Sequence, residues 1–84
     1  MIYKVDILCG AIKQLELLPA SDYRAIKSKI IKLAENPRPH GYKKLKGRSA
    51  FRICQGNYRI IYEIYENEHT IKIIRIGHRK NVYR

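Results

Sequence analysis

Acid is what this chain is short of: seven Asp and Glu stand against 18 Lys and Arg in 84 residues, a formal net charge of +11. Between residues 36 and 62 there is no acidic side chain at all. Solubility favours interspersed signs, so an acid-free stretch of that length asks for another reason. Tryptophan is missing and cysteine occurs only twice, as Cys9 and Cys54. Their spacing makes neither a zinc nor a redox motif, and a secreted domain held by disulfides carries more of them. Both read as small packing residues. No apolar run approaches the roughly 18 residues needed to cross a bilayer, and Met1-Ile2-Tyr3-Lys4 does not open a signal peptide. The cytoplasm is the expected compartment, with no membrane partner. His40, His69 and His78 are scattered, and no glycine-rich loop leads into a helix, so neither a metal nor a cofactor is expected.

The cations are unevenly placed. Residues 1–42 hold 7 basic and 4 acidic side chains, residues 43–84 hold 11 and 3. Arg38, Lys43, Lys44, Lys46, Arg48, Arg52 and Arg59 all fall within the acid-free stretch. Brought together by a fold, they make a field that favours phosphates and drives salt-sensitive binding through counterion release.

The 45% hydrophobic content suffices for one small core, and 84 residues leave no room for two, so residues 1–84 read as a single domain. Tyr3-Lys4-Val5-Asp6-Ile7 alternates as a half-buried strand does. Gly10 breaks it, and Ile12, Leu15 and Leu18 follow at helical spacing until Pro19. Ser21 reads as the N-cap of a second helix, with Asp22 favourable at its positive end. Tyr23, Ile26, Ile30, Leu33 and Ala34 form the inner stripe of that helix, which Asn36-Pro37 ends. Arg38 to Ser49 reads as a basic loop. Strands follow at Ala50–Cys54, Tyr58–Tyr65 and Thr70–Gly77, joined by turns at Gln55–Asn57 and Glu66–His69; Glu66 and Glu68 read as solvated turn residues. The spacing predicts an α+β fold of order β-α-α-β-β-β: an antiparallel β-sheet with an N-terminal helical hairpin packed on one face.

With few carboxylates and no metal set, the chemistry left to Arg, Lys, Tyr and His suits attack of an RNA 2′-hydroxyl on its neighbouring phosphorus. Arginine forks hold the non-bridging oxygens as charge builds on them. Arg52 and Arg59, on neighbouring strands, and Arg79, just after the last, are the candidates. His78 is a candidate acid or base, because histidine titrates near neutrality. Tyr83 is a second candidate base, since nearby guanidinium groups lower a phenol's pKa. Tyr83 or Tyr42 would also serve to stack an unpaired base, while Tyr58, Tyr62 and Tyr65 read as sheet packing.

The order and spacing of Leu33-Ala34-Glu35-Asn36-Pro37, Lys43-Lys44-Leu45-Lys46-Gly47, Phe51-Arg52-Ile53, Gly56-Asn57-Tyr58-Arg59-Ile60-Ile61-Tyr62 and Ile76-Gly77-His78-Arg79-Lys80-Asn81-Val82-Tyr83 resemble the RelE branch of the RelE/ParE superfamily of type II toxin–antitoxin toxins, across essentially the whole chain. The resemblance implies a RelE-like fold and a toxin that enters the ribosomal A site and cuts mRNA to a 2′,3′-cyclic phosphate and a 5′-hydroxyl, inhibiting translation. It implies a cognate RelB-like antitoxin as partner, besides the ribosome and mRNA, with operator DNA reached only through the antitoxin complex. Arg59 and Arg79 fall on the family's two catalytic arginines and Tyr83 on its C-terminal tyrosine. Arg52 replaces a strand lysine, and His78 sits where members carry Lys or His. Lys43, Lys44, Lys46 and Arg48 match the loop cations expected to hold RNA. Cys54 departs from the pattern: several members have a second lysine there, and a thiol does not supply that charge. Two other functions stay open on the same fold, a ParE-like toxin that poisons DNA gyrase and a weakened toxin that serves as an antitoxin- and operator-binding partner. Whether His78 or Tyr83 moves the proton also stays open.

Overall fold

Runs of Ile and Tyr at period two, set against two helices with Ile and Leu at a 3.6-residue period, leave one way to close a core: one sheet face against the helices. The computed structural model describes residues 2–45 and 50–78 and has this form. Its elements are β1 (Lys4–Ile7), α1 (Cys9–Glu16), α2 (Ala20–Glu35), β2 (Lys43–Lys44), β3 (Phe51–Gln55), β4 (Tyr58–Tyr65) and β5 (Thr70–His78). The strands make one sheet in the order β1-β5-β4-β3-β2. From β2 to β5 neighbours are antiparallel, as expected. The sheet is not antiparallel throughout: β1 lies parallel to β5, with Lys4 opposite Thr70 and Ile7 opposite Ile73. Lys43-Lys44 adds a short edge strand within the stretch that reads as loop.

The helix boundaries move as well. Leu8 still bonds to β5, its N–H reaching the Ile73 carbonyl at 3.0 Å, and α1 starts at Cys9, so Gly10 falls inside the first turn. The buried face of α1 is Ala11 and Leu15; Ile12 remains 39% exposed. Ser21 is not the cap of α2. Pro19 holds that position with φ −55°, and its carbonyl accepts the Tyr23 N–H at 2.8 Å. A proline that ends one helix is already set at the φ that begins the next. The α2 stripe of Ile26, Ile30, Leu33 and Ala34 is buried as expected, against Ile53, Ile60, Tyr62, Ile71, Ile73 and Ile76 of the sheet.

Gly56 joins β3 to β4 with φ +60°, at the first central position of a two-residue hairpin, where glycine is favoured. Beyond Ile7 no strand flanks β5 on the β1 side among the described residues, and the Ile76 N–H is met by Gln14 Oε1 of α1 at 2.8 Å. The Tyr62 hydroxyl donates to the buried Pro37 carbonyl at 2.7 Å, and burial pushes its pKa up to about 12. No helix is long and apolar enough to cross a membrane among the described residues.

Three separate segments meet at Glu66. Its carboxylate accepts the Tyr3 hydroxyl at 2.8 Å and pairs with the Arg38 guanidinium. Tyr3 also stacks on His69, ring centroids 4.0 Å apart. Glu66 is exposed, yet it is more than a solvated turn residue. The bonds from Tyr3 and Arg38 hold its pKa below the ordinary value of 4.5. A carboxylate with a lowered folded-state pKa contributes stability above its unfolded pKa and loses it as pH falls through the folded value. Glu66→Gln is therefore expected to lower the thermal midpoint near neutrality. The difference from the unsubstituted protein should shrink as pH falls below about 4.5, as melts across a pH series would show.

Candidate nucleic-acid interface

Alternation decides which side chains share the face that the helices leave open. Ile53, Ile60 and Ile76 form one cross-strand row in the core, so their neighbours Arg52 and Arg59 point the other way. Lys43 stands opposite Arg52, Arg52 opposite Ile61, and Ile61 opposite Arg75. Two residues further along β4, Arg59 lies between Cys54 of β3 and Gly77 of β5. Arg52 and Arg59 are thus diagonal neighbours, about 7–8 Å apart, and both forks can address one phosphate. Both are half-buried. Nη1 of Arg52 donates to Cys54 Sγ at 3.5 Å.

The open face separates its charges along the strands. Asp6, Lys72 and Glu63 make a mixed row at the end nearer the β4–β5 turn. There Glu63 Oε1 accepts the Tyr65 hydroxyl at 2.6 Å, and Lys72 Nζ lies 4.7 Å from the Tyr65 ring centroid. The arginines occupy the other end. Ile61 (3% exposed), in one row with Arg52 and Arg75, packs with Ala50, Leu45 and Ile74. The Leu45 N–H bonds to the Ala50 carbonyl at 2.8 Å, which extends the pairing of β2 with β3 by one bond.

The expected site residues divide in three. Lys43, Arg52 and Arg59 share the open face. Lys44 and His78 do not join them, because Lys44 stands opposite Phe51, and His78 opposite Tyr58, on the helix side of the alternation. The His78 ring meets Tyr58 edge-on at 5.8 Å, and burial together with Asp22 raises the Tyr58 phenol. Lys46, Arg48, Arg79 and Tyr83 lie outside the described residues. Tyr42 is taken up by Phe51, 5.7 Å away. The cysteines are not packing residues: Cys9 and Cys54 are both exposed, Cys54 because it falls on the open side of β3.

One cation of this face escapes a reading of the sequence. Regular alternation from Ile71 and Ile73 would turn Arg75 toward the helices. A bulge intervenes: Tyr62 stands opposite Ile73 while Ile61 stands opposite Arg75, which leaves Ile74 as an extra residue. Bulges re-aim side chains in this way. Ile76 goes into the core and exposed Arg75 comes out beside Ile61. The only trace in the sequence is the doubled Ile73-Ile74, which breaks the period of two.

Elsewhere, a groove of about 580 Å³ between α1, α2 and β1, lined by Val5, Ile12, Leu15 and Ile31 among others, lies on the helix side, away from the arginines. Among the described residues, no three His, Cys, Asp or Glu side chains group as metal ligands.

Comparison with known proteins places this arrangement. Residues 10–83 match the family described as the ParE toxin of the type II toxin–antitoxin system parDE. The archaeal RelE–RelB complex from Pyrococcus horikoshii contains a chain 30% identical, with TM-score 0.84 over 98% of this chain and 100% of that one. The toxin–antitoxin complex RelBE2 from Mycobacterium tuberculosis matches at 26% identity and TM-score 0.84, over 96% of this chain and 95% of that one. The isolated RelE toxin of E. coli matches at 26% identity and TM-score 0.80, over 96% and 90%. A search of curated proteins finds no significant match by sequence.

Ile61 stands between Arg52 and Arg75 and packs with Ala50, Leu45 and Ile74. Ile61→Ala is expected to cost about 2–3 kcal/mol in a urea titration, from lost burial and the cavity left behind.

Proposed function

The chain belongs to the RelE/ParE family of type II toxin–antitoxin toxins, and on that premise we propose that it is a ribosome-dependent mRNA endonuclease. The observation that carries this reading is the diagonal placement of Arg52 and Arg59 on the sheet face opposite the helices, with Asp6 and Glu63 of that face at its other end. RNA brings its own nucleophile. The 2′-oxygen bonds to phosphorus, the P–O5′ bond breaks, and the products are a 2′,3′-cyclic phosphate and a 5′-hydroxyl, with no metal required. Arg52 and Arg59 hold the non-bridging oxygens as charge accumulates on them. Arg79, by its family position, adds a further fork.

One group must take the 2′-hydroxyl proton and another must give one to the departing 5′-oxygen. Tyr83 is the base in this reading. His78, packed on Tyr58 at the end of β5, sits at the rim and contributes as an acid only if its ring turns away from Tyr58. Lys43, with Lys46 and Arg48 by their family positions, holds messenger and ribosomal RNA through the phosphates. A net charge of +11 also calls for an acidic cognate antitoxin, in keeping with the RelB complexes among the similar structures. The site of action is the cytoplasm, where ribosomes are, and operator DNA is reached through the antitoxin.

A second reading is favoured by the matched family, whose description names a ParE toxin: poisoning of DNA gyrase through the same surface. Fold does not separate the two, because function lies in the site. Induction separates them. The nuclease reading expects arrested translation, with cleaved messages mapped by primer extension. DNA damage and filamentation with intact messages would replace it with the gyrase reading.

Arg59→Ala and Arg79→Ala are each expected to lower cleavage of ribosome-bound mRNA by about 10²–10³-fold and to abolish growth inhibition with the fold intact. His78→Ala should cost less than either. Retained toxicity in both arginine variants would remove the assignment.

Cys54 tests the third reading, a toxin weakened by the missing cation. Cys54→Lys sets a like charge directly opposite Arg59, at a cost in stability of up to about 1 kcal/mol. It should tighten binding to single-stranded RNA and steepen the salt dependence of log K by about 0.7. A rise in cleavage rate would show that Cys54 limits activity; unchanged cleavage would show that it does not.

A further inference from the structure

Tyr58 and His78 form the last rung of the β4–β5 pairing, at the end of the sheet that carries the arginines. On the rung before it Arg59 stands opposite Gly77, so β5 sets no side chain beside Arg59 on that face. The imidazole follows one residue later, on the helix side of the alternation. It meets the Tyr58 ring edge-on, with centroids 5.8 Å apart and planes at 79°, a favoured geometry for an aromatic pair. Tyr58 is held from behind. Its ring packs against the core cluster that contains Ile26, Ile60 and Ile76, and burial, then Asp22 in the first turn of α2, raise its phenol.

We propose that Tyr58 is a positioning residue that parks the His78 ring on the helix side of the sheet, away from Arg52 and Arg59. Register brings the two rings together. With Ile60 and Ile76 committed to the core and paired with each other, Tyr58 and His78, two positions along each strand, turn to that same side. The two rings differ in their support. Tyr58 is tied to the core and to α2, whereas His78 is the final residue of β5, so its ring is the one that rotates without moving the core. An aromatic pair of this kind shifts an equilibrium by about two- to tenfold. The parked ring therefore predominates, and the freed ring stays accessible to a bound RNA. What the freed ring does, giving its proton to the departing 5′-oxygen, rests on the nuclease reading; the contact itself does not.

In the full chain, nuclear Overhauser cross-peaks between the His78 imidazole protons and the Tyr58 ring should be present. Tyr58→Leu should release the imidazole and speed single-turnover cleavage of ribosome-bound mRNA by about two- to tenfold, with the half-saturating ribosome concentration unchanged. Tyr58→Phe, which keeps the ring, should stay close to the unsubstituted chain in both readouts. In the His78→Ala background Tyr58→Leu should change nothing, because a residue that acts through another loses its effect when that other is gone. If Tyr58→Leu does not fold in a urea titration, Tyr58→Met removes the ring with a more adaptable side chain. Absent cross-peaks, or an effect of Tyr58→Leu that persists without His78, would overturn the proposal and leave the nuclease reading in place. Cross-peaks that vanish in Tyr58→Leu, with no cleavage by any form including the unsubstituted chain, would uphold the parked ring and remove the nuclease reading.

Discussion

The alternation of the β-strand is the constraint from which the site follows. Once Ile53, Ile60 and Ile76 are committed to the core beneath α1 and α2, Arg52 and Arg59 have no place but the opposite face. The hydrophobic effect thus arranges the cations without acting on them. Burying the isoleucines stabilises the fold, and gathering the guanidinium groups is a by-product of their register.

The remaining polar contacts hold the periphery to that core. Tyr62 reaches from the core to the Pro37 carbonyl, which fixes the exit from α2 and the start of the basic segment. Glu66 gathers Tyr3 from the start of β1 and Arg38 from the same exit. Acid therefore does structural work at the end of the sheet nearer the β4–β5 turn.

Much of this was legible in the sequence, for identifiable reasons. Period-two runs located β3, β4 and β5, and the stripe from Ile26 to Ala34 located α2, because burial imposes those periods directly. The helix starts were harder to read. Pro19 both closes α1 and opens α2, so the better-known capping residue Ser21 misled. The parallel placement of β1 left no local trace, since it depends on which edge of the sheet stands free after the hairpins form. Cys54 was misread because a thiol is usually buried, whereas its position on the strand decides otherwise. Arg75 was invisible for a sharper reason: one extra residue reverses every later side chain, and nothing in Ile73-Ile74 alone says which of the two is extra.

The parallel β1–β5 pair has a temporal consequence. Lys4 meets Thr70 and Val5 meets Ile71, so β1 waits for β5. β5 is also the partner of β4, and a nascent chain that stops short of it leaves two strands without their neighbour and Arg75 unmade. Contacts so distant along the chain close late in folding. A copy whose synthesis is interrupted before β5 therefore lacks the strand on which both β1 and β4 depend.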